Sequence, residues 1–464
     1  MSLQDEMFQQ LWQSKALFDL AQQYAYEYAD SIFERPVFPS EEALQGLQYF
    51  DEKMPTQNGD ALAIIKQLHQ YGSPATLAQI GGRYFGFVNG SIIPTALAAK
   101  WLSAFWDQNT ALEVMSPISA KLEQVVEQWL QELFDLPTGT AAGYVTGSSA
   151  AIYCGLAAAR WRILQNMGWD LNEAGLNGAP KIRVITGRQA HSTVIKAISL
   201  LGLGKANIEW LEVDEQGRVR PERLPDFDES CLVILQAGNV NSGSFDPFET
   251  ICRKAEAAGA WVHVDGAFGL WAGACQRFKH LTAGMNLAQS WSTDGHKTLN
   301  TPYDCGIVLC ADREALTSAL HLSGAYLTPG DGRDGMFYTP DASRRARIVE
   351  LWATLKYLGR AGIEALVGGL HDRAVQFAQE LQVQSFEVLN DVVFNQVLVA
   401  YGDEAQTAAL LKAVQERREC WCGSSQWEER RVIRISVCSW ATTAADVSRS
   451  VEAFVQGRAS SIQF

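Results

Sequence analysis

The chain has 464 residues, of which 47% are hydrophobic and 19% are charged, and it carries a formal net charge of -14. This length and composition predict a globular protein with a large apolar core and more than one domain. The negative charge argues against nucleic acid or an anionic membrane surface as the main partner, because both attract basic patches.

The first residues carry acidic side chains and no apolar segment of the signal-peptide type, and no apolar run approaches the length of a membrane span. Nine cysteines are scattered along the chain, and only Cys420 and Cys422 are close together. Without a second pair or a nearby histidine, these two do not predict a metal site. We therefore expect free thiols, no metal, no membrane span and a cytoplasmic location.

The predicted elements begin with a helix over roughly residues 3–33, whose apolar residues fall on one face. This segment has no core of its own, so we expect it to wrap the main body or another subunit. A second helical piece follows over residues 59–71. The glycine- and aromatic-rich stretch 81–94 fits neither regular period, and it predicts either a core-lining loop or a substrate wall.

From Pro117 to Pro137, apolar residues recur at helical spacing and predict a helix. Beyond it, short apolar strands alternate with helices, which indicates a mostly parallel sheet covered on both faces. In such sheets the ligand site lies at the carboxyl ends of the strands. The predicted strands are residues 143–147, 181–186, 208–214, 231–238, 261–265, 290–293 and 305–310, and the helices among them are 149–165, 194–201 and 247–258.

After residue 311 the sequence becomes rich in glycine and predicts a long loop before the next helix. The remainder alternates helix and strand in a smaller unit, and Thr443 with Asp446 predicts a capping box for the last helix. The helices predicted here are residues 343–358, 371–382 and 404–417, and the strands are 385–400 and 430–438. The proposed parts are a helical N-terminal segment, a large domain and a small α/β domain, at 1–83, 84–360 and 361–464.

Polar residues follow several of the predicted strands. Asp265 ends one strand, His191 follows another and starts a helix, and Lys297 follows a third beside His296. The turn 147–149 lies between a strand and a helix start, where free backbone amides favour a phosphate. Each observation alone is weak, because a strand-end aspartate is often a cap, a lone histidine is more often a core residue, and a single lysine usually lies on the surface.

Together these residues meet the demands of one cofactor, pyridoxal 5'-phosphate. Its aldehyde requires a lysine, its ring nitrogen a carboxylate, its ring a flat neighbour, and its phosphate the amides of a helix start. Lys297, Asp265, His191 and the turn 147–149 supply these in that order. The pattern therefore predicts Schiff-base chemistry at Lys297.

These motifs resemble those of the group II pyridoxal-phosphate-dependent amino acid decarboxylases, over about residues 82–443. DGHKTLNTPYDCG is similar to the family's cofactor-lysine signature, HVDGAFG to its aspartate signature, and RQAHSTVIKA to its stacking-histidine signature. The resemblance implies an α/β protein of fold type I, the aspartate-aminotransferase-like fold, with a mostly parallel seven-stranded sheet. It also implies a homodimer whose active sites lie at the subunit interface.

By this resemblance, Lys297 carries the cofactor, Asp265 pairs with the pyridine nitrogen and His191 stacks on the ring. Ser148 and Ser149, following Gly147, are expected to bind the phosphate. The resemblance thus implies cofactor binding for these six residues, and it implies a catalytic role for Lys297 and His191.

The resemblance also implies cofactor contacts for His296, Asn239 and Ala267. In related enzymes a loop tyrosine returns a proton to the substrate carbon, and the loop of this chain offers Tyr326 and Tyr338. We favour Tyr338 as the catalytic tyrosine, because it lies deeper in the glycine-rich segment.

The resulting hypothesis is a decarboxylase that converts an L-amino acid to the amine and carbon dioxide. Tyr84, Phe85, Phe87 and Phe105 offer an apolar wall, with Arg83 as the one nearby cation, so aromatic or branched apolar substrates are favoured. The alternatives are an oxidative, aldehyde-forming decarboxylase on the same fold and a glutamate- or diaminobutyrate-type decarboxylase. A non-enzymatic member of the family is disfavoured by the retained lysine, aspartate and histidine.

Overall fold

The computed structural model describes residues 2–321 and 332–461. Its α-helices are α1 (Leu3–Phe8), α2 (Ala16–Ser31), α3 (Glu41–Gln45), α4 (Ala61–Gln67), α5 (Pro94–Trp106), α6 (Pro117–Leu133), α7 (Ser148–Asn166), α8 (Leu171–Ala174), α9 (Ser192–Leu200), α10 (Phe248–Ala257), α11 (Arg313–Ala319), α12 (Ile348–Val383), α13 (Glu404–Arg417) and α14 (Ala444–Ser461). Its strands are β1 (Ala141–Val145), β2 (Arg183–Gly187), β3 (Ile208–Leu211), β4 (Cys231–Gln236), β5 (Trp261–Asp265), β6 (Ser290–Asp294), β7 (Gly306–Cys310), β8 (Glu387–Val388), β9 (Gln396–Ala400), β10 (Gly423–Trp427) and β11 (Arg430–Ser436).

The larger sheet has seven strands in the order β1-β7-β6-β5-β4-β2-β3. Only β7 runs antiparallel to its neighbours, β1 and β6, among the described strands of this sheet. One apolar cluster, with contributions from α6, α10 and α12, covers one face, and a second, from α7, α9 and α11, covers the other. The sequence prediction of a mostly parallel α/β sheet is confirmed, because strands covered on both faces need the continuous apolar runs seen in the sequence.

The carboxyl ends of the central strands lie side by side. Gln236 at the end of β4 is in register with Asp265 at the end of β5, and Asp265 is in register with Ser292 of β6. β6 continues to Asp294, three residues before Lys297. Neighbouring strands lie about 4.8 Å apart, so this edge concentrates polar side chains in a small volume.

A second sheet has four antiparallel strands in the order β10-β11-β9-β8. It packs with α13, α14 and the second half of α12 around its own apolar cluster. The predicted capping box of α14 is present, since Thr443 and Asp446 exchange hydrogen bonds of 3.0 and 3.1 Å between side chain and backbone. The sequence prediction missed β10, which reads GSSQW and has a single apolar residue, Trp427, at its end.

The prediction of two separate helices here, the first ending at residue 358, is confirmed. α12 (Ile348–Val383) contains one non-helical residue, Gly359, with φ of 57°, so two helices meet there at a kink. The second helix begins directly after Gly359 and not near residue 371. Ile363 and Val367 recur at helical spacing and are buried in the main core, which accounts for this earlier start.

Helices α1 to α4 contain no buried residue. The helix predicted over 3–33 is divided into α1 and α2 by a wider helical turn, Gln9–Ser14, and by Lys15 with φ of 58°. The domain bounds proposed at residues 83 and 360 stay predictions. Within residues 2–321 and 332–461, no helix combines the length and apolarity needed to cross a bilayer. All nine cysteines lie in these residues, and each is a buried free thiol.

Candidate active site

A cavity of about 230 Å³ opens at the carboxyl edge of the large sheet. It brings together three of the predicted residues, Lys297, Asp265 and His191, with the predicted contact Ala267. Phe87, expected from the sequence in a substrate wall, also lines the cavity. The remaining lining residues were not assigned from the sequence and are Val88, Gln236, Gly238, Val240, Phe268 and Arg434.

Lys297 follows β6 and extends its amine into this cavity, with a side chain that is 19% exposed. Its Nζ lies 3.1 Å from Oδ2 of Asp294, which is 1% exposed. The backbone around the lysine is fixed by Asn300, whose side chain donates to the Lys297 carbonyl at 3.1 Å and to that of Cys438 at 2.9 Å. The lysine amine is therefore half-buried and lies against a carboxylate beside a cavity.

Asp265 ends β5 and faces the same cavity. Its Oδ1 accepts a hydrogen bond from the Ala267 N–H at 3.2 Å. Burial raises the pKa of Asp265 above its usual range, while the nearby His191 and Lys297 oppose this shift. A cationic group placed against Asp265 would stabilise the carboxylate, which is the environment that a pyridine nitrogen requires.

His191 lies at the N-cap of α9 and forms another wall of the cavity. Its Nδ1 accepts from the Thr193 N–H at 3.2 Å and contacts the Thr193 hydroxyl at 2.7 Å. Burial lowers the pKa of His191 below its usual range. The ring is thus neutral near pH 7 and fixed in orientation, as a flat stacking partner must be.

The turn at residues 147–149 opens α7, and no side chain caps this helix start. A Cβ added to Gly147 would stand 3.4 Å from Cε1 of His296, so the predicted phosphate turn and His296 are neighbours. Nδ1 of His296 accepts from the Cys305 N–H at 3.0 Å, and burial lowers the pKa of His296. The neutral ring therefore carries its proton on Nε2, which faces Asp294 at 3.6 Å.

Asn239 is placed differently from the expectation. Its Oδ1 accepts from the N–H groups of Asn241 and Ser242 at 2.9 and 3.2 Å, and its Nδ2 donates to Gln189. The side chain is thus used to shape the loop after β4 and is not among the residues that line the cavity. Its neighbours Gly238 and Val240 line the cavity instead, with Gly238 at φ of 91°.

Arg434 is the cation that the sequence reasoning missed. It reaches the cavity from β11 of the small sheet and donates to the Val240 carbonyl at 3.3 Å. Burial lowers its pKa, and no carboxylate pairs with it within the described residues. An arginine between Ile433 and Ile435, in an apolar strand, was the available signal. A half-buried guanidinium without an anion is suited to bind a carboxylate.

Tyr338 lies away from this cavity in the single chain. Its hydroxyl contacts Arg313 at 2.8 Å, and the Arg333 guanidinium lies 3.9 Å from the centre of its ring. Arg313 is the first residue of α11, which follows β7. Because β7 runs antiparallel to its neighbours, its carboxyl end lies at the edge of the sheet opposite the cavity, and Tyr338 lies towards that edge. Tyr326 falls outside the described residues.

Of the four aromatic residues expected to form a substrate wall, only Phe87 lines the cavity. It is 62% exposed and stacks on Trp421 with ring centres 5.4 Å apart. Phe85 is instead buried in the core of the small sheet, and Phe105 packs on Phe18. Tyr84 is buried and stacks on the same tryptophan, with ring centres 5.3 Å apart. Arg83 donates to Glu419 and Phe33 carbonyls and is not in the cavity lining.

The residues present fit pyridoxal 5'-phosphate. A lysine amine, a buried carboxylate and a neutral imidazole surround one cavity, and an uncapped helix start lies beside it. Oδ1 of Asp294 is buried without a hydrogen-bond partner in the described chain and lies 3.7 Å from a Cβ built on Gly147. As an acceptor, this oxygen does not itself bind a phosphate.

The chain matches the family model described as the pyridoxal-dependent decarboxylase conserved domain over residues 44–401. It is 25% identical to the aromatic-L-amino-acid decarboxylase of Rattus norvegicus over 457 residues, which are 92% of this chain and 94% of the relative. It is 26% identical over 354 residues to the acidic amino acid decarboxylase of Mus musculus, covering 73% of this chain and 62% of that relative's length. The phenylacetaldehyde synthase of Arabidopsis thaliana is also 26% identical over 354 residues, which are 70% of this chain and 71% of that relative.

A solved structure, Oryza sativa TDC with PLP and tryptamine, superimposes with a TM-score of 0.88 at 21% sequence identity. The match covers 96% of this chain and 97% of that one. The fold of the chain is therefore that of fold type I, as expected from the sequence.

Proposed function

The chain belongs to the pyridoxal-dependent decarboxylase family and takes pyridoxal 5'-phosphate as its cofactor, and on this premise we propose that it converts an L-amino acid to the amine and carbon dioxide. The observation that carries the proposal is the grouping of Lys297, Asp265 and His191 around one cavity that Arg434 also enters. The first three residues serve the cofactor, and the arginine serves the substrate.

The bound cofactor supplies an aldehyde that joins reversibly to amines and a ring that accepts the electron pair left by departing carbon dioxide. Lys297 provides the amine to which the cofactor attaches. Asp265 holds positive charge at the ring nitrogen, and His191 fixes the plane of the ring. Gly147, Ser148 and Ser149, at the start of α7, bind the phosphate.

Arg434 orients the substrate in this proposal. Its guanidinium binds the α-carboxylate of the amino acid, since it is a half-buried cation with no carboxylate partner among the described residues. Holding this carboxylate fixes which bond at Cα breaks. The arginine also draws the anionic substrate into a cavity that is otherwise lined largely by apolar atoms.

The side-chain preference is for aromatic or branched apolar groups. Phe87, Val88, Val240 and Phe268 line the cavity, and Arg434 is the one arginine among the lining residues. A cavity of about 230 Å³ is smaller than a typical ligand pocket of roughly 300–1,000 Å³, so the cofactor takes most of it. The substrate side chain must then extend past Phe87 towards the surface.

The direct experiment incubates the purified protein and cofactor with each common L-amino acid and measures both carbon dioxide and amine. We expect release from one or more aromatic or branched apolar substrates. Lys297→Ala should abolish release and remove the visible absorbance band of the bound cofactor. A wild-type protein that shows no such band would contradict the cofactor site itself.

An aldehyde-forming oxidative decarboxylase is the second candidate. It is favoured by the placement of Tyr338, whose hydroxyl is engaged by Arg313 outside the cavity, and by the similarity to a phenylacetaldehyde synthase. Tyr326→Phe and Tyr338→Phe should be compared for the ratio of amine to aldehyde. The tyrosine that returns the proton to Cα is the one whose loss lowers this ratio, and aldehyde with hydrogen peroxide from the wild type would support the second candidate.

We also assign the protein a homodimeric state. Helices α1 to α4 bury no residue, and Trp12, Leu102 and Phe105 are 61%, 58% and 61% exposed. The rings of Phe18 and Phe105 pack 5.0 Å apart, so α2 and α5 form one continuous apolar surface. Such a surface marks an interface with a second copy.

The buried free thiols support the cytoplasmic location.

A further inference from the structure

Gln236 is the one polar residue of the cavity lining that has no role in the site described above. It is the last residue of β4, and it is 4% exposed. Its backbone N–H donates to Oδ2 of Asp246 at 2.7 Å, but its side-chain amide has no hydrogen-bond partner in residues 2–321 and 332–461. Buried amides are normally paired, so an unpaired amide against a cavity indicates a ligand that completes its hydrogen bonds.

The side chains of Gln236 and Asp265 lie on the same face of the large sheet. The two residues are in register on neighbouring parallel strands, which lie about 4.8 Å apart. Because side chains alternate along a strand, Gln236 shares its face with Ile234, which packs in the apolar cluster of α7. Asp265 shares its face with His263, which lies against Gly155 of α7. The amide therefore lies beside the carboxylate, on the face that α7 covers.

The order of the strands places Gln236 on the far side of Asp265 from the proposed phosphate position. Lys297 follows β6, Asp265 ends β5 and Gln236 ends β4, and these are successive strands of the sheet. The start of α7 follows β1, which lies beyond β7 on the other side of β6. Gln236 and the start of α7 thus lie on opposite sides of Asp265.

The chemical structure of pyridoxal 5'-phosphate then decides which of its groups faces β4. Its aldehyde and its ring nitrogen are at opposite ends of the ring, and the phosphate arm and the ring hydroxyl flank the aldehyde on its two sides. With the aldehyde at Lys297, the nitrogen at Asp265 and the phosphate at the start of α7, the edge that carries the hydroxyl faces away from α7. This edge lies towards Gln236.

We propose that the side-chain amide of Gln236 forms a hydrogen bond with the ring hydroxyl oxygen of the cofactor and thereby fixes the orientation of the ring within its plane. An amide has two N–H donors and a carbonyl acceptor, so it pairs with this oxygen in both the protonated and the ionised form. Asn239, which the sequence suggested as a cofactor contact, is engaged by the backbone of its own loop. The inference rests on the proposed cofactor site.

The test compares two ligands on the full chain freed of cofactor. One is pyridoxal 5'-phosphate, and the other is the analogue in which hydrogen replaces the ring hydroxyl. Equilibrium dialysis gives the dissociation constant of each ligand. The variant is Gln236→Met, because methionine has nearly the length of glutamine and lacks the amide. Gln396→Met is the matched control, since Gln396 is also buried in a strand but does not line the cavity.

We expect Gln236→Met to weaken binding of the cofactor by about tenfold, the usual effect of losing one hydrogen bond to a charged group. Its affinity for the analogue should stay within about twofold of the wild-type value, because the analogue has no oxygen at this position. Gln396→Met should keep the wild-type preference for the cofactor over the analogue. If Gln236→Met does not fold, Gln236→Leu takes its place with the same expected result.

An equal loss of affinity for both ligands would overturn the inference, because the residue would then act through the shape of the cavity alone. Unchanged affinity for both ligands would also overturn it, and a raised KM for the amino acid would then assign the amide to the substrate. These outcomes leave the proposed function intact. A wild-type protein that binds neither ligand refutes the proposed function itself.

Discussion

Arg434 shows how a single side chain joins the two sheets of the protein. It belongs to β11 of the small sheet, yet its guanidinium donates to Val240 and lines the cavity at the edge of the large sheet. The substrate carboxylate is thus proposed to bind between the two parts of the chain. This arrangement couples substrate binding to the position of the small sheet.

Replacing Arg434 by methionine should raise KM for the amino acid by about tenfold or more, since a charge-assisted hydrogen bond contributes about 1.5–3 kcal/mol. The absorbance of the bound cofactor should remain, because the arginine does not serve the cofactor in our proposal. Arg431→Met, at an exposed position on the same strand, is the matched control and should leave KM unchanged. Loss of the cofactor band in the Arg434 variant would contradict the assigned role.

His263 gives the protein a predictable dependence on pH. The residue is fully buried in β5, with Nδ1 2.8 Å from the Ser290 hydroxyl, and burial lowers its pKa from 6.5 to about 3. The unfolded chain therefore binds a proton at His263 near pH 6.5 that the folded chain does not bind. Stability from this residue is present above pH 6.5 and is lost as the pH falls towards 3.

The loss should amount to about 2 kcal/mol at pH 5, from about 1.4 kcal/mol for each pH unit below 6.5. We expect the wild-type free energy of unfolding to fall between pH 7 and 5, as measured by chemical denaturation. His263→Gln removes the titrating group, so its own decline over the same range should be smaller by about this amount. Parallel pH profiles for the two proteins would disprove the assignment.

At the scale of elements, α7 combines two tasks. Its uncapped first turn forms the proposed phosphate site, and its middle lies directly on the large sheet. Gly155 permits this close approach, because a Cβ at this position would stand 2.6 Å from Cε1 of His263. The glycine thus fixes the distance between the helix and β5, the strand that carries Asp265.

Gly155→Ala should lower the free energy of unfolding by about 1–3 kcal/mol, because the added methyl group overpacks the contact between helix and strand. The matched control is Gly369→Ala in α12, where an added Cβ would meet nothing within 4 Å. That change should raise stability by about 0.5–1 kcal/mol through helix propensity alone. Denaturant unfolding of the two variants measures both effects, and equal shifts would refute the packing argument.

At the scale of the whole molecule, the apolar surface of the N-terminal helices and α5 has no partner within the described part of the chain. Trp12 and Leu102 are both more than half exposed on it. In the proposed dimer this surface is covered by the second copy. Assembly would then bury the apolar side chains of the N-terminal segment, which has no core of its own.

The double change Trp12→Glu and Leu102→Glu should therefore convert the dimer to monomer, because it buries two uncompensated charges at the interface. Sedimentation velocity at several protein concentrations measures the change in mass. Val383→Glu, at a residue that is 79% exposed at the end of α12, is the control and should not alter assembly. A wild-type protein that sediments as a monomer would contradict the proposed dimer.

The sequence by itself determined the type of fold and predicted three polar residues that the structure places around one cavity. Strands buried on both faces must be continuously apolar, and their carboxyl ends must meet at one edge, so Asp265 and Lys297 could be placed together before any coordinates were known. His191 and the turn before α7 followed from the same rule. Such local and periodic features depend only on residues close together in the chain.

Only the tertiary structure decided the contacts made across the chain. Arg434 is 137 positions beyond Lys297, and Asn239 turned inward because its amide satisfies the backbone of its own loop. Tyr338 is held by Arg313, which follows the antiparallel strand β7, and by Arg333, which lies five residues before it. Asp294 has the same strand-end signal as Asp265, but only its ion pair and unpaired oxygen distinguish it. These features depend on burial and hydrogen bonding between distant segments, which no local pattern encodes.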